Sequence, residues 1–467
     1  MTAVLYWNDV ALEANRVSHT NGAKEQTGPP LSARALAIVH LAIYDAYVGA
    51  TPATALASYL GLPGAPAGAD VEAAIAAAAH DTLADLFPSQ VAFFDAKLAA
   101  LGFGPSPAEA DGMAYGATVA NAILADRGGD PGVGATGYTT SNAYGHHRED
   151  PDNPGPGQTP HAPFYGAATR CFSVTTRHAL NAPPAPGTNA YRRALRQVRG
   201  KGIAPNLMGT VPNSMPKRTI DETVIGVYWA YDGAKGLGTP PRLYNQIIRK
   251  VAEAQGNNLE QDAQLFAQVN VAMADAGILA WEQKYRTDYD VWRPVVGIRE
   301  HDPSMGPGAA AAGNDLDNDA DTGWLPMGAP ATNEIRKNFT PPFPAYPSGH
   351  ATFGAAAFQV ARRFYGEIGH GPDSLGVEFV SDEMNGVNTD NTGTVRPLHK
   401  RRFPDGLWGM ILENSLSRVY LGVHWSYDGF ATKPNGDIDL SQNVGGVRLG
   451  LAIANDIVDT GMKRSTV

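Results

Sequence analysis

Three stretches of the chain set basic, hydroxyl and imidazole side chains beside helix ends. WEQKYRTDYDVWRPVVGIR (281–299) carries Lys284, Arg286 and Arg293, the last followed by a proline; PPFPAYPSGHATFG (341–354) carries Ser348, Gly349 and His350; SRVYLGVHW (417–425) carries Arg418 and His424 on either side of Gly422. Singly, each has an ordinary structural reading. An arginine before proline is usually a surface group, a serine before a helix usually caps it, and a histidine between apolar residues is usually a satisfied core residue. Together they have the composition of a pocket for a tetrahedral oxyanion. Guanidinium forks match its oxygens two at a time, and the free N–H groups of a helix start add donors without charge. Two histidines then remain for proton transfer or for direct attack on the central atom.

These groups need rigid elements behind them. The prolines and the residues before them keep 341–347 extended, and Ser348 then opens the helical run ATFGAAAFQVARRFYG. The helical period recurs over 32–49, 71–87, 107–127 and 190–200, and again over 219–232, 242–254, 259–285, 351–365, 406–421 and 444–460. Within the longest of these, Leu265, Val269, Met273, Ala276 and Ala280 form one apolar stripe. Strand patterns are scarce. The expected fold is therefore all-α: two four-helix bundles with long connecting loops, residues 1–200 forming an N-terminal bundle with a long loop and 201–467 a C-terminal bundle carrying the active site. The loop-rich stretch 128–166 is too aromatic for a plain linker and is expected to lie over the surface. Its paired His146 and His147 read as structural or solvated groups.

Composition narrows the function classes. With 467 residues and 43% hydrophobic content, the chain can bury a large core. Its net charge of −10 argues against a nucleic-acid surface, so any anion must be held by local basic residues. The single Cys171 excludes an intrachain disulfide. No signal-peptide pattern is visible at the N-terminus and no membrane span is expected, which leaves a soluble protein, cytoplasmic or exported without such a signal.

The same segments carry a resemblance. The sequence is similar to the vanadium-dependent haloperoxidases, above all the fungal-type vanadium chloroperoxidases, whose site resembles that of the type-2 phosphatidic acid phosphatase superfamily. The superfamily pattern is Lys, six residues, Arg-Pro; then Pro-Ser-Gly-His; then Ser-Arg, five residues, His. PSGH (347–350) and SRVYLGVH (417–424) match it directly. LSARALAIVHLAIYDAY, HAPFYG, YWAYDGAKGLGTPPRLYNQI, PPFPAYPSGHATFG and SRVYLGVHW resemble chloroperoxidase segments in the same order along the chain. The resemblance implies a vanadate cofactor, with phosphate able to occupy the same site. His424 would be its metal ligand, and Arg293, Arg418, Ser348, the Gly349 amide and a lysine would bond its oxygens. His350 would be the acid–base residue. Asp232 would pair with Arg418, and Trp281 and Phe343 would line the halide side. Eight residues separate Lys284 from Arg293, and the family spacing falls on Arg286. The local match WEQKY favours Lys284 as the family lysine, whereas on one continuous helix Arg286 would share the face of Arg293.

The implied activity is oxidation of chloride or bromide by hydrogen peroxide, through a peroxovanadate, to hypohalous acid that halogenates an organic acceptor. An acid phosphatase with His424 as nucleophile and a non-catalytic oxyanion-binding protein are the alternatives. A second cofactor is considered at GNDLDNDADTG (313–323), where Asp315, Asp317, Asp319 and Asp321 alternate as in the start of a calcium loop, but without the glycine and glutamate that complete one. A solvated acidic loop is the plainer reading.

Overall fold

The computed structural model describes residues 1–131, 138–153, 164–286, 288–307 and 318–467. Half of the chain is helix and only 5% strand, so the fold is all-α as expected. The helices start where the sequence offers caps: the side chains of Asp70, Ser106, Thr219, Asn258 and Ser348 each accept a backbone N–H from the first turn of the helix that follows.

One helical group packs Pro29–Ala50 against Val71–Leu86 and Pro107–Arg127, with Ala3–Ser18 alongside. The 3–18 helix is absent from the sequence expectation. Its inward face includes Asn8 and Asn15, both fully buried, which interrupt the apolar period. A second group is built around Gly349–Phe364, which contacts Pro240–Gln255, Leu259–Lys284, Gly406–Tyr420 and Gly446–Thr460. Small residues make this central position possible. A Cβ at Gly450 would lie 2.4 Å from the Thr352 carbonyl oxygen, so the two helices touch backbone to backbone. Leu259–Lys284 packs on both Gly349–Phe364 and Pro29–Ala50, and one continuous set of buried apolar side chains runs from Val4 to Met462. A buried polar ladder crosses the same seam: Asn8 meets His40 Nε2 at 2.9 Å and Asn245 at 3.1 Å, and Asn245 and Asn270 exchange bonds of 2.8 and 3.0 Å.

Pro29–Ala50 and Leu259–Lys284 are long and apolar enough to cross a membrane by length and composition, contrary to the expectation that no stretch would be. In the fold they are core helices, with 83% and 94% of their most apolar windows buried. Among the described residues the strands are two short antiparallel pairs, 378–380 with 400–402 and 431–432 with 438–439.

Candidate active site

The basic segments converge at the N-terminus of Gly349–Phe364. Lys284 is the last residue of its helix and is fully buried; its ammonium donates to the carbonyls of Pro344 (2.9 Å), Ala345 (3.2 Å) and Pro347. Three N–H groups thereby bind three carbonyls and hold the 344–347 loop against the helix end. Arg286 lies beyond that helix, largely in solvent, and pairs with Asp288 at 3.0 Å. The structure thus brings Lys284, not Arg286, into the cluster. The helical-period argument for Arg286 fails because the helix stops at Lys284 and a new one, Pro294–Arg299, starts after Arg293.

Arg293, 1% exposed, sits at the start of that new helix. Its Nε donates to Phe343 O at 2.8 Å and its Nη1 to Val423 O at 2.7 Å, with His424 Nε2 3.0 Å away. Arg418 is held by Asp232 through two bonds of 2.6 and 3.0 Å. In both guanidinium groups one donor is buried without a hydrogen-bond partner among the described residues: Arg293 Nη2 and Arg418 Nε. Ser348 caps the central helix, accepting weakly from the Ala351 amide at 3.4 Å, which leaves its hydroxyl proton free to donate. The position next to it has little room for a side chain, because a Cβ on Gly349 would stand 3.1 Å from the Trp281 ring.

His424 follows the break at Gly422, whose φ of +72 turns the chain out of its helix and back. Its Nδ1 meets Asp428 Oδ2 at 2.8 Å, and a carboxylate can only accept there, so the neutral ring keeps its lone pair on Nε2, facing Arg293. Burial and then the cations Arg293, Lys284 and Arg418 hold His424 well below the usual histidine range. Burial lifts Asp428 to about 7 against the pull of Lys284 and Arg293, and lowers Arg293 to about 9. Burial, then Arg418, takes His350 down to about 3. His350 Nε2 donates to Ala230 O at 2.6 Å, which puts the lone pair of the neutral ring on Nδ1. Its own carbonyl accepts from Tyr244 Oη at 3.1 Å and Asn414 Nδ2 at 2.8 Å.

A cavity of about 250 Å³ opens onto this cluster. Asp232, Gly349, His350, Arg418 and His424 give its polar end; Trp281, Phe343, Phe353, Pro341 and Pro342 give its apolar wall. Trp281 and Phe343 pack at 5.1 Å between centroids, and the guanidinium of Arg293 lies 5.0 Å from the Phe343 ring. Every residue read from the sequence for the oxyanion site, except Arg286, is therefore in one cluster. Asp428, which fixes the His424 tautomer, is missing from that reading; its signal was an acid four residues after a histidine, in HWSYD.

The acidic loop is elsewhere. Asp315 and Asp317 lie outside the described residues, as do 161–163 of HAPFYG. Asp319 pairs with Arg196 at 2.8 Å, and Asp321 lies 3.8 Å from Arg199. No group of three or more His, Cys, Asp or Glu side chains suited to a metal ion occurs among the described residues. His146 is partly exposed and bonds Asp290 at 3.2 Å, whereas His147 is buried with neither ring nitrogen hydrogen-bonded among the described residues.

Two arginines with spare donors, a helix N-terminus and a neutral imidazole define the class: an all-helical fold whose buried cluster has the donors an oxyanion needs. Family models for the vanadium chloroperoxidase N-terminal domain and for the second helical-bundle domain match residues 1–100 and 264–442. The chain is 35% identical to the vanadium chloroperoxidase of Curvularia inaequalis, over 98% of this chain and 90% of that one. It shares its fold with a bacterial vanadium-dependent iodoperoxidase (TM-score 0.65, 20% identity, 97% and 95% of the two chains) and with a bacterial vanadium-dependent chloroperoxidase (0.61, 18%, 93% and 96%). The chain belongs to the vanadium chloroperoxidase family and is a haloperoxidase. The donor set fits that family's vanadate: buried guanidinium donors lack partners, and the cations Lys284, Arg293 and Arg418 outnumber the carboxylates Asp232 and Asp428 around them.

Proposed function

We propose that this protein oxidises a halide, chloride or bromide, with hydrogen peroxide and a proton, releasing hypohalous acid and water. The observation that carries the reading is the pair of unpartnered donors, Arg293 Nη2 and Arg418 Nε, in the same cluster as the His424 Nε2 lone pair. Bound there, vanadate supplies a Lewis acid that activates peroxide without changing its own oxidation state. His424 is suited to be its ligand because Asp428 and the surrounding cations keep Nε2 unprotonated. Arg293, Arg418, the Ser348 hydroxyl and the Gly349 amide are suited to its oxygens. Lys284 acts beside them, shaping the 344–347 loop and adding positive potential. A multiply charged anion next to His350 offsets the repulsion from Arg418 and raises its basicity, so that Nδ1 can take a proton from peroxide and return one to the leaving oxygen. Trp281 and Phe343 offer an apolar, cation-backed wall to a weakly hydrated halide.

The test is halogenation of a dimedone-type acceptor by metal-stripped protein with peroxide and either chloride or bromide, before and after orthovanadate. Activity that appears only with vanadate supports the proposal, and the two halides separate its scope. Inactivity with both, alongside vanadate-inhibited hydrolysis of a phosphate ester, identifies a phosphatase, since a neutral buried His424 also meets the needs of a nucleophile. Anion binding with neither activity identifies a binding protein.

A further inference from the structure

The turn that carries Asp232 has a second task. Ala230 O takes the Nε2–H of His350, and two residues on, Asp232 grips Arg418. Between them Tyr231 sits at φ +46, a left-handed conformation that a bulky aromatic residue keeps only when its surroundings impose it. They come from a segment that none of the sequence motifs touches. Tyr228 Oη donates to Phe379 O (2.8 Å), Ser381 Oγ donates to Tyr228 O (2.7 Å), and the Asp382 amide donates to Tyr231 Oη (2.8 Å). The Tyr231 amide itself donates to Glu383 Oε1 at 3.2 Å.

Glu383 is fully buried, and a carboxyl group there requires a reason. Its other oxygen accepts from Thr332 Oγ1 at 2.5 Å and from Arg396 Nη1 at 2.7 Å. Arg396 also donates to Thr332 Oγ1 at 2.8 Å, which closes the triangle. We infer that Glu383 is a positioning residue for halide oxidation: through the Tyr231 amide it holds the Ala230–Asp232 turn, and so sets both the orientation of His350 and the grip on Arg418. Burial raises Glu383 to about 7, and Arg396, Thr332 and the Tyr231 amide pull against that rise, favouring the charged acceptor. The inference rests on the roles given above to His350 and Arg418.

The test compares Glu383→Ala, Glu383→Gln and a control, Asp45→Ala. Asp45 is likewise buried and takes two backbone amides, those of Tyr59 and Leu60, but in the first helical group. Hydrogen exchange at the Tyr231 amide is read in vanadate-free protein, orthovanadate affinity by titration, and kcat and KM for halide oxidation with vanadate present. Glu383→Ala is expected to speed Tyr231 exchange and to lower vanadate affinity and kcat by on the order of tenfold or more. Glu383→Gln keeps an oxygen for the Tyr231 amide and is expected to restore its protection and most of the affinity. Asp45→Ala is expected to change stability alone. Wild-type exchange and affinity in Glu383→Ala, or equal losses in Asp45→Ala, overturns the inference. Should Glu383→Ala not fold, Thr332→Val removes one partner of the carboxylate; a smaller loss in the same direction supports the inference and unchanged values overturn it. A wild-type protein that takes up no vanadate sinks the proposed function, while Tyr231 exchange still decides whether Glu383 holds the turn.

Discussion

At the scale of single residues, the two histidines differ in what their rings face. His424 offers Nε2 from a ring locked by Asp428, while His350 is tied to a carbonyl and offers Nδ1. Replacing His424 by Ala is therefore expected to abolish vanadate-dependent oxidation together with tight vanadate uptake, both read from one titration series. His350→Ala is expected to keep vanadate and lose about 10²–10⁴ in kcat, the usual scale for an acid–base group; full turnover in either variant refutes its assignment. Lys284 and Arg286 make a sharper pair. Arg286→Ala removes an exposed ion pair and is expected to leave kcat unchanged and stability within about 0.5 kcal/mol. Lys284→Ala strands three carbonyls in a buried loop and is expected to lose activity and about 1–3 kcal/mol, measured by denaturant unfolding.

Among the elements, most helices were legible. The helix read at 107–127 is found at those residues, and the capping residues set several other starts within a few positions. The direction of the chain after Lys284 was not legible, because TDYDVW carries no signal strong enough to say whether a helix continues or restarts. Close helix contacts were equally hidden: a glycine such as Gly450 reads as a weak helix former until its neighbour is known. There a Cβ would meet the Thr352 carbonyl at 2.4 Å and Ala355 Cβ at 2.8 Å. Gly450→Ala is accordingly expected to destabilise the protein by about 1–3 kcal/mol in urea unfolding, against the stabilisation that helix propensity alone would give.

For the whole molecule, the two helical groups share a core, and a buried polar ladder joins them. His40 sits in that ladder, bonded to Asn8 and to Leu36 O, and burial lowers it from the usual 6.5 to about 4. A histidine whose folded value is depressed resists protonation in the native state. Its contribution is therefore complete above about 6.5 and is lost as pH falls toward 4, up to about 3 kcal/mol from this group. Unfolding midpoints measured between pH 7 and 4 are expected to fall through that window, and less steeply in His40→Gln if that variant folds. The shared core also predicts that both helical groups unfold in one transition, read by calorimetry.

What the sequence determined by itself was local. Helical periods, caps and proline breaks follow from interactions within a few residues, and PSGH with SRVYLGVH points to oxyanion chemistry through its resemblance to the family pattern. The tertiary structure decided everything that depends on which chain segments meet. It chose Lys284 over Arg286, set Asp428 on the His424 ring, and placed Glu383 beneath the Tyr231 turn. A side chain's charge state and orientation are set by its spatial neighbours, and for Tyr231 and Glu383 those lie 152 positions apart along the chain.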